Sequence, residues 1–509
     1  MSRMLALLVG LIVAAAIFTE LAVRRGSRSG WRKLRAQLFT DVEAGSFERL
    51  LRARAIGMRL VVADVEDGDV EALLSFVNAL LARDYALPSA AEARSAAARA
   101  ESAPGLTAER QAMVGAARAL LALGAGDLRA AHRHADAAVA LARDHAYPWL
   151  ALARVRSAEG DLAPASKAAE AALVKSPDFA LALTTWAEVR IDLGDPRAAA
   201  TAARAALART PRNTRARLLL AQAELADAAA ETADAAKAAE PQAARAALEA
   251  GCRKEGALSA SVAAGCALHQ AMRRRLDGER GESLRLARTA GAVAPPSDPR
   301  LLAMTAQVLA QLGDVDAASA LVERAERVGG RDMPALVWAR LAVSLGRGSA
   351  AAAPAARPSG PETRLLLARA ALASGGGAAL DAALGELGRA AVAADPDLES
   401  LATVASLDPS APHAALAVAQ RVAASGKGVV ALYAAGLLAR LAGDAHAAAE
   451  WLAPALAGHG DACRAAGEYL AATRALRRPP PTPTLLAPLR AANTRCVNLA
   501  APADAPKRR

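Results

Sequence analysis

The apolar residues of this chain fall into runs of helical length that are separated by short polar turns. Five turns carry the same Gly-Asp pair: Gly126-Asp127, Gly160-Asp161, Gly194-Asp195, Gly313-Asp314 and Gly443-Asp444. Glycine suits the left-handed position that ends a helix, and aspartate suits the N-cap of the next helix. Runs of β-branched or aromatic residues long enough for strands are missing from the sequence. The pattern therefore predicts an all-α protein made of helical hairpins.

The first three turns also have a fixed spacing. Gly126, Gly160 and Gly194 follow one another at intervals of 34 residues. Alanine returns at the same two places in the second helix of successive units: Ala165, Ala172, Ala199 and Ala206. Small side chains at these places let the paired helices approach each other, while Pro177 and Pro211 end the second helix. These are the positions that a repeated helix-turn-helix unit has to fix.

This pattern resembles the tetratricopeptide repeat (TPR) family, whose unit is a helix pair of 34 residues. The resemblance is strongest at 146–179 and 180–213. The first of these units matches the family at Trp149, Leu152, Ala153, Gly160, Ala165, Ala172 and Pro177. It departs from the family at Arg156, and the second unit departs at Arg190, where the family often has an aromatic residue. The resemblance implies a right-handed α-solenoid with a concave groove.

The repeats divide the chain into segments of different regularity. Well-formed TPR units are expected at 112–213, 299–332 and 429–462. Degenerate helical repeats are expected at 44–111, 214–298 and 333–428, with a loop at 354–361 in the last of these. A closing helix is expected at 463–478, followed by a proline-rich linker, a short helix and a disordered tail at 479–509.

Residues 4–23 form one apolar segment behind a short flank at 1–3. Twenty helical residues span about 30 Å, the thickness of a bilayer core, so we expect a retained transmembrane anchor. A cleaved signal peptide is the competing interpretation. One arginine precedes the segment and six Lys or Arg residues follow it. The positive-inside rule then predicts an inner (plasma) membrane protein with a cytoplasmic body, and a periplasmic body is the alternative.

The segment 24–43 is basic and comes directly after the expected anchor. Its apolar residues Trp31, Leu34 and Leu38 share one face of a helix. Such a helix fits the membrane surface, where its cations meet anionic headgroups. It fits equally well as the first helix of the solenoid, with a solvated basic face.

Composition narrows the function classes. The apolar fraction is 54% but the aromatic fraction is only 3%, because alanine dominates. The formal net charge is +11, and nine of the cations lie at 24–35 and 507–509, so the body is close to neutral. A surface that follows nucleic acid phosphates is therefore not expected.

No constellation for catalysis, cofactor binding or metal binding stands out in the sequence. His132 and Asp136 share a helix face, but a third and a fourth metal ligand at fixed spacing are not evident. Glycine-rich phosphate loops and nucleophile motifs are not found either. We therefore expect no enzymatic activity, no cofactor and no metal.

The four cysteines form no CxxC pair, which argues against a zinc or redox motif. We expect them to be small buried hydrophobic residues in a reducing compartment. If the body were periplasmic instead, the helical return around the proline-rich linker would let Cys463 and Cys496 form a disulfide.

The resemblance also assigns a groove. In the TPR family the concave face is made by set positions of the first helix, which here are Tyr147, Leu150, Arg154, Ser157, Leu181, Thr184, Glu188, Ile191 and Asp192. The Lys and Asn set with which chaperone-binding members hold a peptide carboxylate is missing. The mixed groove suits a helix or an extended segment of a protein partner.

Together these features predict a membrane-anchored TPR scaffold or adaptor that holds protein partners at the inner membrane. One alternative is a regulator of envelope assembly of the lipopolysaccharide type. The other is an accessory subunit of a membrane enzyme complex.

Overall fold

The structure is a computed structural model that describes a large part of the chain. The described residues are 30–62, 67–228, 242–277, 279–347, 354, 360–387, 392, 398, 401–402, 420, 429–441, 443–455 and 462–476. The expected anchor at 4–23, the tail at 479–509 and most of the loop at 354–361 lie outside these residues. No helix among those described is long and apolar enough to cross a membrane.

The described part of the chain is helical and contains no strand. The first helices are α1 (30–44), α2 (Phe47–Val62), α3 (Gly68–Tyr85), α4 (Ala90–Ser102), α5 (Ala108–Gly124), α6 (Leu128–Leu141), α7 (Ala146–Glu159) and α8 (Leu162–Lys175). They are followed by α9 (Ala180–Asp192), α10 (Pro196–Arg209), α11 (Thr214–Ala228), α12 (Gln242–Gly256), α13 (Ala260–Leu276), α14 (Arg280–Val293) and α15 (Pro299–Gln311). The last are α16 (Val315–Glu326), α17 (Pro334–Gly346), α18 (Pro361–Leu387), α19 (Val429–Leu441), α20 (Ala445–Ala455) and α21 (Ala462–Ala475).

The Gly-Asp pairs lie at the turns within the hairpins. The glycines at 126, 160, 194, 313 and 443 all have φ between 76° and 95°, the left-handed conformation that ends a helix without a Cβ clash. Four aspartates accept a hydrogen bond from a backbone amide of the following helix: Asp127, Asp195, Asp314 and Asp444. Asp161 instead accepts a hydrogen bond from Arg156 at 3.2 Å. The two residues thus stop one helix and start the next, as the sequence suggested.

Alanine lets the two helices of each hairpin pack closely. Ala165 and Ala172 on α8, and Ala199 and Ala206 on α10, are fully buried. A Cβ added to Gly115 on α5 would come within 3.1 Å of Ala138 on α6. These contacts place α5–α6, α7–α8 and α9–α10 as three consecutive pairs, and α15–α16 and α19–α20 repeat the arrangement. The architecture is an α-solenoid of TPR-like helix pairs.

Helix α1 packs against the solenoid. Leu38 and Val42 are fully buried in the main hydrophobic cluster, and Trp31 lies against that cluster. The buried carboxylate of Asp41 accepts hydrogen bonds from Arg49 and Arg52 of α2. Of the two interpretations of the basic segment, the packing favours a first solenoid helix with a solvated basic face.

The superhelix is wound tightly enough for distant turns to touch. The amide of Gly330, in the loop before α17, donates to the carbonyl of Ala158 at the end of α7, at 3.1 Å. Ser259, before α13, donates its hydroxyl to the carbonyl of Tyr85 at 3.0 Å. Thr210, after α10, donates to the carbonyl of Ala44 at 2.9 Å. These contacts fold the solenoid back on itself and narrow its interior.

Two cysteines that we expected to be unpaired hydrophobic residues form a disulfide. Cys252 on α12 and Cys266 on α13 are joined with an S–S distance of 2.06 Å and a Cα–Cα distance of 5.9 Å. They are 14 residues apart, and the hairpin places them face to face on antiparallel helices. The expectation of four free, small hydrophobic cysteines is therefore wrong for this pair. Cys496 lies outside the described residues, so the structure leaves the Cys463–Cys496 pairing as a prediction.

Candidate functional site

The narrowed interior of the solenoid holds a cavity of about 120 Å³, room enough for several water molecules. Its wall is made by the ends and inner faces of α3, α7, α9, α11, α13 and α15. These helices belong to different hairpins, and the cavity exists because the superhelix brings them together. Most of the polar side chains in its wall are charged.

Asp84, at the end of α3, is the hub of the charges on one side of the cavity. Its side chain is fully buried and contacts three guanidinium groups. Arg83 donates to Oδ1 at 2.8 Å, while Arg154 of α7 donates to Oδ2 at 2.5 Å. Arg215 of α11 lies 3.0 Å from Oδ2. Three helices are thus tied to one carboxylate.

The network continues across the cavity through two further ion pairs. Arg215 also donates to Glu188 of α9 at 2.7 Å. One helical turn further along α9, Asp192 accepts from Arg300 of α15, with Nη2 at 2.9 Å and Nε at 3.1 Å. Two nitrogens on one carboxylate make this the fork-like contact that arginine forms best.

The pKa values follow from burial and from these neighbours. Burial alone would raise the pKa of the Asp84 carboxyl, but Arg154, Arg215 and Arg83 outweigh it and hold the pKa below its usual range. The same balance lowers the pKa of Glu188, where Arg215 and Arg300 outweigh burial. Burial would lower the pKa of Arg300, but Asp192 raises it. The carboxylates of Asp84 and Glu188 and the guanidinium group of Arg300 are therefore charged at neutral pH.

Several polar atoms in the cavity wall have no hydrogen-bond partner. They are Arg83 Nε, Arg154 Nη2, Gln222 Oε1 and Ser261 Oγ, and each of these atoms is buried. Arg154 is only 3% exposed and Ser261 only 8%. A buried polar atom without a partner costs free energy, so these four atoms are the places in the wall where water or a polar ligand would form hydrogen bonds.

A second, smaller cavity of about 40 Å³ adjoins the first and shares Gln222, Asp192 and Arg300 with it. Its other walls are more apolar and include Met272, Trp338 and Ile191. The indole Nε1 of Trp338 is buried there without a partner.

The groove residues expected from the TPR resemblance divide into two groups. Those that line a cavity are Arg154, Ser157, Glu188, Asp192 and Ile191. Those buried in the hydrophobic packing are Tyr147, Leu150, Leu181 and Thr184. Tyr147 stacks edge-on between Phe76 and Phe179, because α7 is enclosed by its neighbours on this side. The second group therefore holds the helices together and is not open to a ligand.

Four of the seven residues of the charged network were missed by the sequence analysis. Arg83, Asp84, Arg215 and Arg300 lie on first helices outside the two best repeats. A search for charges at the inner positions of all the first helices, including those outside the two best repeats, could have found them. The ion pairs between them could not be predicted from the sequence, because partners such as Arg300 and Asp192 are 108 residues apart in the chain.

His132 takes part in two polar contacts on the outer face of the solenoid. Its Nδ1 lies 2.7 Å from Glu159, and its Nε2 lies 3.0 Å from Asp136. Among the described residues no group of three or more His, Cys, Asp or Glu side chains could hold a metal ion.

No family model and no curated protein matches the chain. Solved structures that resemble it include a human IFIT1 dimer with PPP-AAAA, at 15% identity over 55% of this chain and 69% of that chain, with a TM-score of 0.34. The TPR domain of P58(IPK) is 14% identical over 70% of this chain and 96% of that one, with a TM-score of 0.22. Naa15/Naa10 bound to HypK-THB is 16% identical over 90% and 70%, also with a TM-score of 0.22. Likenesses this low assign no function, and the solenoid assignment rests on the helix pairs.

Proposed function

We propose that this protein is a membrane-anchored scaffold or adaptor that binds protein partners and holds them at the inner membrane. The observation that carries the proposal is the uninterrupted stack of helix pairs from α5 to α10, which gives an extended surface of repeated helices. Because each pair contacts mainly its neighbours, such a stack can present many side chains to one partner without large adjustments.

The outer face of this stack carries apolar side chains that the fold does not bury. Val174 near the end of α8 is 75% exposed, and Leu141 at the end of α6 is 46% exposed. They lie at similar places in successive hairpins. Large apolar side chains exposed on a solenoid surface are a natural contact for a partner.

The anchor in this proposal is the apolar segment 4–23. For the side of the membrane, the basic residues that follow it favour a cytoplasmic body, whereas the Cys252–Cys266 disulfide favours a periplasmic one. We infer the periplasmic side, because structural disulfides are rare in the reducing cytosol, while long domains are translocated largely regardless of charge.

Photo-crosslinking in membranes tests the scaffold role. A crosslinking amino acid at Val174 should capture a discrete protein, and the same group at the exposed Ala205 of α10 serves as the matched control. Mass spectrometry then names the captured protein. Equal, diffuse labelling from both positions would contradict the proposal.

Removal of residues 4–23 tests the anchor separately. The shortened chain should appear in the soluble fraction, while the full chain sediments with membranes. If the shortened chain and the full chain sediment equally, residues 4–23 are not the anchor. The crosslinking experiment tests the scaffold role independently of this result.

A further inference from the structure

We propose that the central cavity binds a small zwitterion of the α-amino acid type. Its carboxylate lies at Arg83 and Arg154, and its ammonium group lies toward Gln222 and Asp192. This inference goes beyond the scaffold role and does not depend on it. It rests on the charges in the cavity wall, on the unpartnered atoms and on the volume of the cavity.

The charges in the wall are arranged as a dipole. On the α3 and α7 side, the guanidinium groups of Arg83, Arg154 and Arg215 surround the single carboxylate of Asp84. On the α15 side, Arg300 faces two carboxylates, Asp192 and Asp298. Glu188 lies between the two sides, bound to Arg215. One side therefore has an excess of positive charge and the other an excess of negative charge.

Every oxygen of Asp84 is already used by a guanidinium group. Oδ1 accepts from Arg83, and Oδ2 accepts from Arg154 and lies near Arg215. Arg83 Nε and Arg154 Nη2 are nevertheless buried without a partner. A carboxylate placed there would accept hydrogen bonds from both atoms and balance the local excess of positive charge.

The opposite side offers an acceptor that is also unpartnered. Gln222 Oε1 is buried in the wall that both cavities share, near Asp192 and Arg300. Asp192 is already paired with Arg300. A cation can bind to Gln222 Oε1 without breaking that pair. An ammonium group donates to Gln222 Oε1 and sits in the negative field of Asp192 and Asp298.

Ser261 of α13 completes the polar wall. Its hydroxyl is buried without a partner and can either donate or accept. The volume of about 120 Å³ leaves room for a small molecule and not for a folded segment. The ligand is therefore a free small molecule that carries both charges.

Such a ligand would contact helices that are far apart in the described solenoid. Residues of α3 and of α15 meet it, although more than 200 positions separate Asp84 from Asp298. Binding would stabilise the closed superhelix and raise its melting temperature by mass action.

Thermal unfolding of the full chain in detergent tests the proposal. The probes are the individual proteinogenic amino acids, propionate and other acids without the amino group, and ethylamine and other amines without the carboxylate. At least one amino acid should raise the melting temperature in a saturable way, and neither class of fragment should do so at the same concentration. Calorimetry then gives the affinity.

Two substitutions locate the site without removing an ion pair. Ser261→Ala and Gln222→Leu each delete an unpartnered polar atom, so the melting temperature without ligand should stay the same or rise. Affinity should fall at least about tenfold in each. Ser102→Ala, at an exposed position on α4, should bind like the wild type.

Three outcomes overturn the inference. If acids without an amino group bind as well as amino acids, the site is an anion site. If no amino acid binds, the cavity holds water only. If both variants bind like the wild type, the ligand lies elsewhere in the protein.

Discussion

Arg300 and Asp192 are 108 residues apart in the chain and form a two-nitrogen ion pair inside the solenoid. Arg300 belongs to the first turn of α15, and Asp192 is the last residue of α9. Asp192 is only slightly exposed, and Arg300 is four-fifths buried. The pair joins two hairpins that are not neighbours in the stack, so it helps to close the superhelix around the cavity.

Breaking this pair should be costly. Asp192→Ala leaves the guanidinium group of Arg300 buried without its partner, and such a change typically costs about 3–5 kcal/mol of unfolding free energy. Denaturant unfolding of the purified chain measures the loss. The double variant Asp192→Ala with Arg300→Met should recover a large part of it, because no unpaired charge then remains. Additive losses in the double variant would show that the two side chains do not interact.

The turn at Gly160 should be more sensitive to substitution than an equivalent turn elsewhere. Gly160 has φ of 93°, and a Cβ there would lie 2.5 Å from the carbonyl oxygen of Asp332. Gly443 has φ of 84° and nothing within 4 Å of its Cβ position, so it is a matched control. Both alanine variants should lose about 1–2 kcal/mol from the left-handed backbone, and Gly160→Ala should lose more. Equal losses in thermal unfolding would show that the contact between the turn and the loop before α17 does not form in solution.

The sequence was informative where local chemistry decides the structure. The Gly-Asp turns and the buried alanines predicted the hairpins and their register, because a helix stop, an N-cap and a close helix crossing each restrict the residue type at one position. Helices begin at 146, 180, 299 and 429, the first residues of four expected units. The first helix of the segment expected from 112 begins earlier, at Ala108.

The closure of the superhelix could not be predicted in this way. It depends on small rotations between successive hairpins, which no single residue fixes and which add up over the solenoid. The hydrogen bond between Gly330 and Ala158 results from these accumulated rotations. For the same reason the groove expected to be open became a cavity, and Tyr147 and Leu150 became part of the core.

Overpacking at a helix crossing tests the repeat register. Ala199 on α10 is fully buried, so Ala199→Leu should destabilise the protein by about 1–3 kcal/mol by forcing the helices apart. Ala205→Leu changes the same residue type on the exposed face of the same helix and should be nearly neutral. Thermal unfolding of both variants checks this. An unchanged melting profile for Ala199→Leu would mean that α10 packs in another register.

The Cys252–Cys266 disulfide gives a prediction for both stability and location. Because it closes a loop of about 15 residues, replacing both cysteines by serine should cost about 3 kcal/mol. In cells, alkylation under thiol-trapping conditions should leave Cys252 and Cys266 unmodified until a reductant is added. Quantitative alkylation of Cys252 and Cys266 before reduction would contradict the disulfide and would favour a cytoplasmic body. Mass spectrometry of the same alkylated protein also shows whether Cys463 is paired with Cys496.

Glu255 on α12 should make stability depend on pH. Burial raises the pKa of the Glu255 carboxyl from 4.5 to about 7, with a smaller contribution from the charge of Glu48. The Thr214 hydroxyl, Lys254 and Arg217 act in the opposite direction. Between pH 4.5 and about 7 the Glu255 carboxyl therefore keeps its proton in the folded state, whereas the unfolded chain has released it. The contribution of this proton to the free energy of unfolding is complete below pH 4.5 and is lost as the pH rises to about 7.

We expect the loss over this interval to be roughly 2 kcal/mol, allowing for partial screening by solvent. Glu255→Gln keeps a neutral polar group of the same size and should be insensitive to pH in this interval. Glu249→Gln alters an exposed carboxylate of the same helix and should retain the pH dependence of the wild type. Denaturant unfolding at a series of pH values compares the three proteins. If the wild type gains stability between pH 4.5 and 7 relative to Glu255→Gln, then the carboxylate is stabilised in the fold and the burial of Glu255 does not dominate its environment.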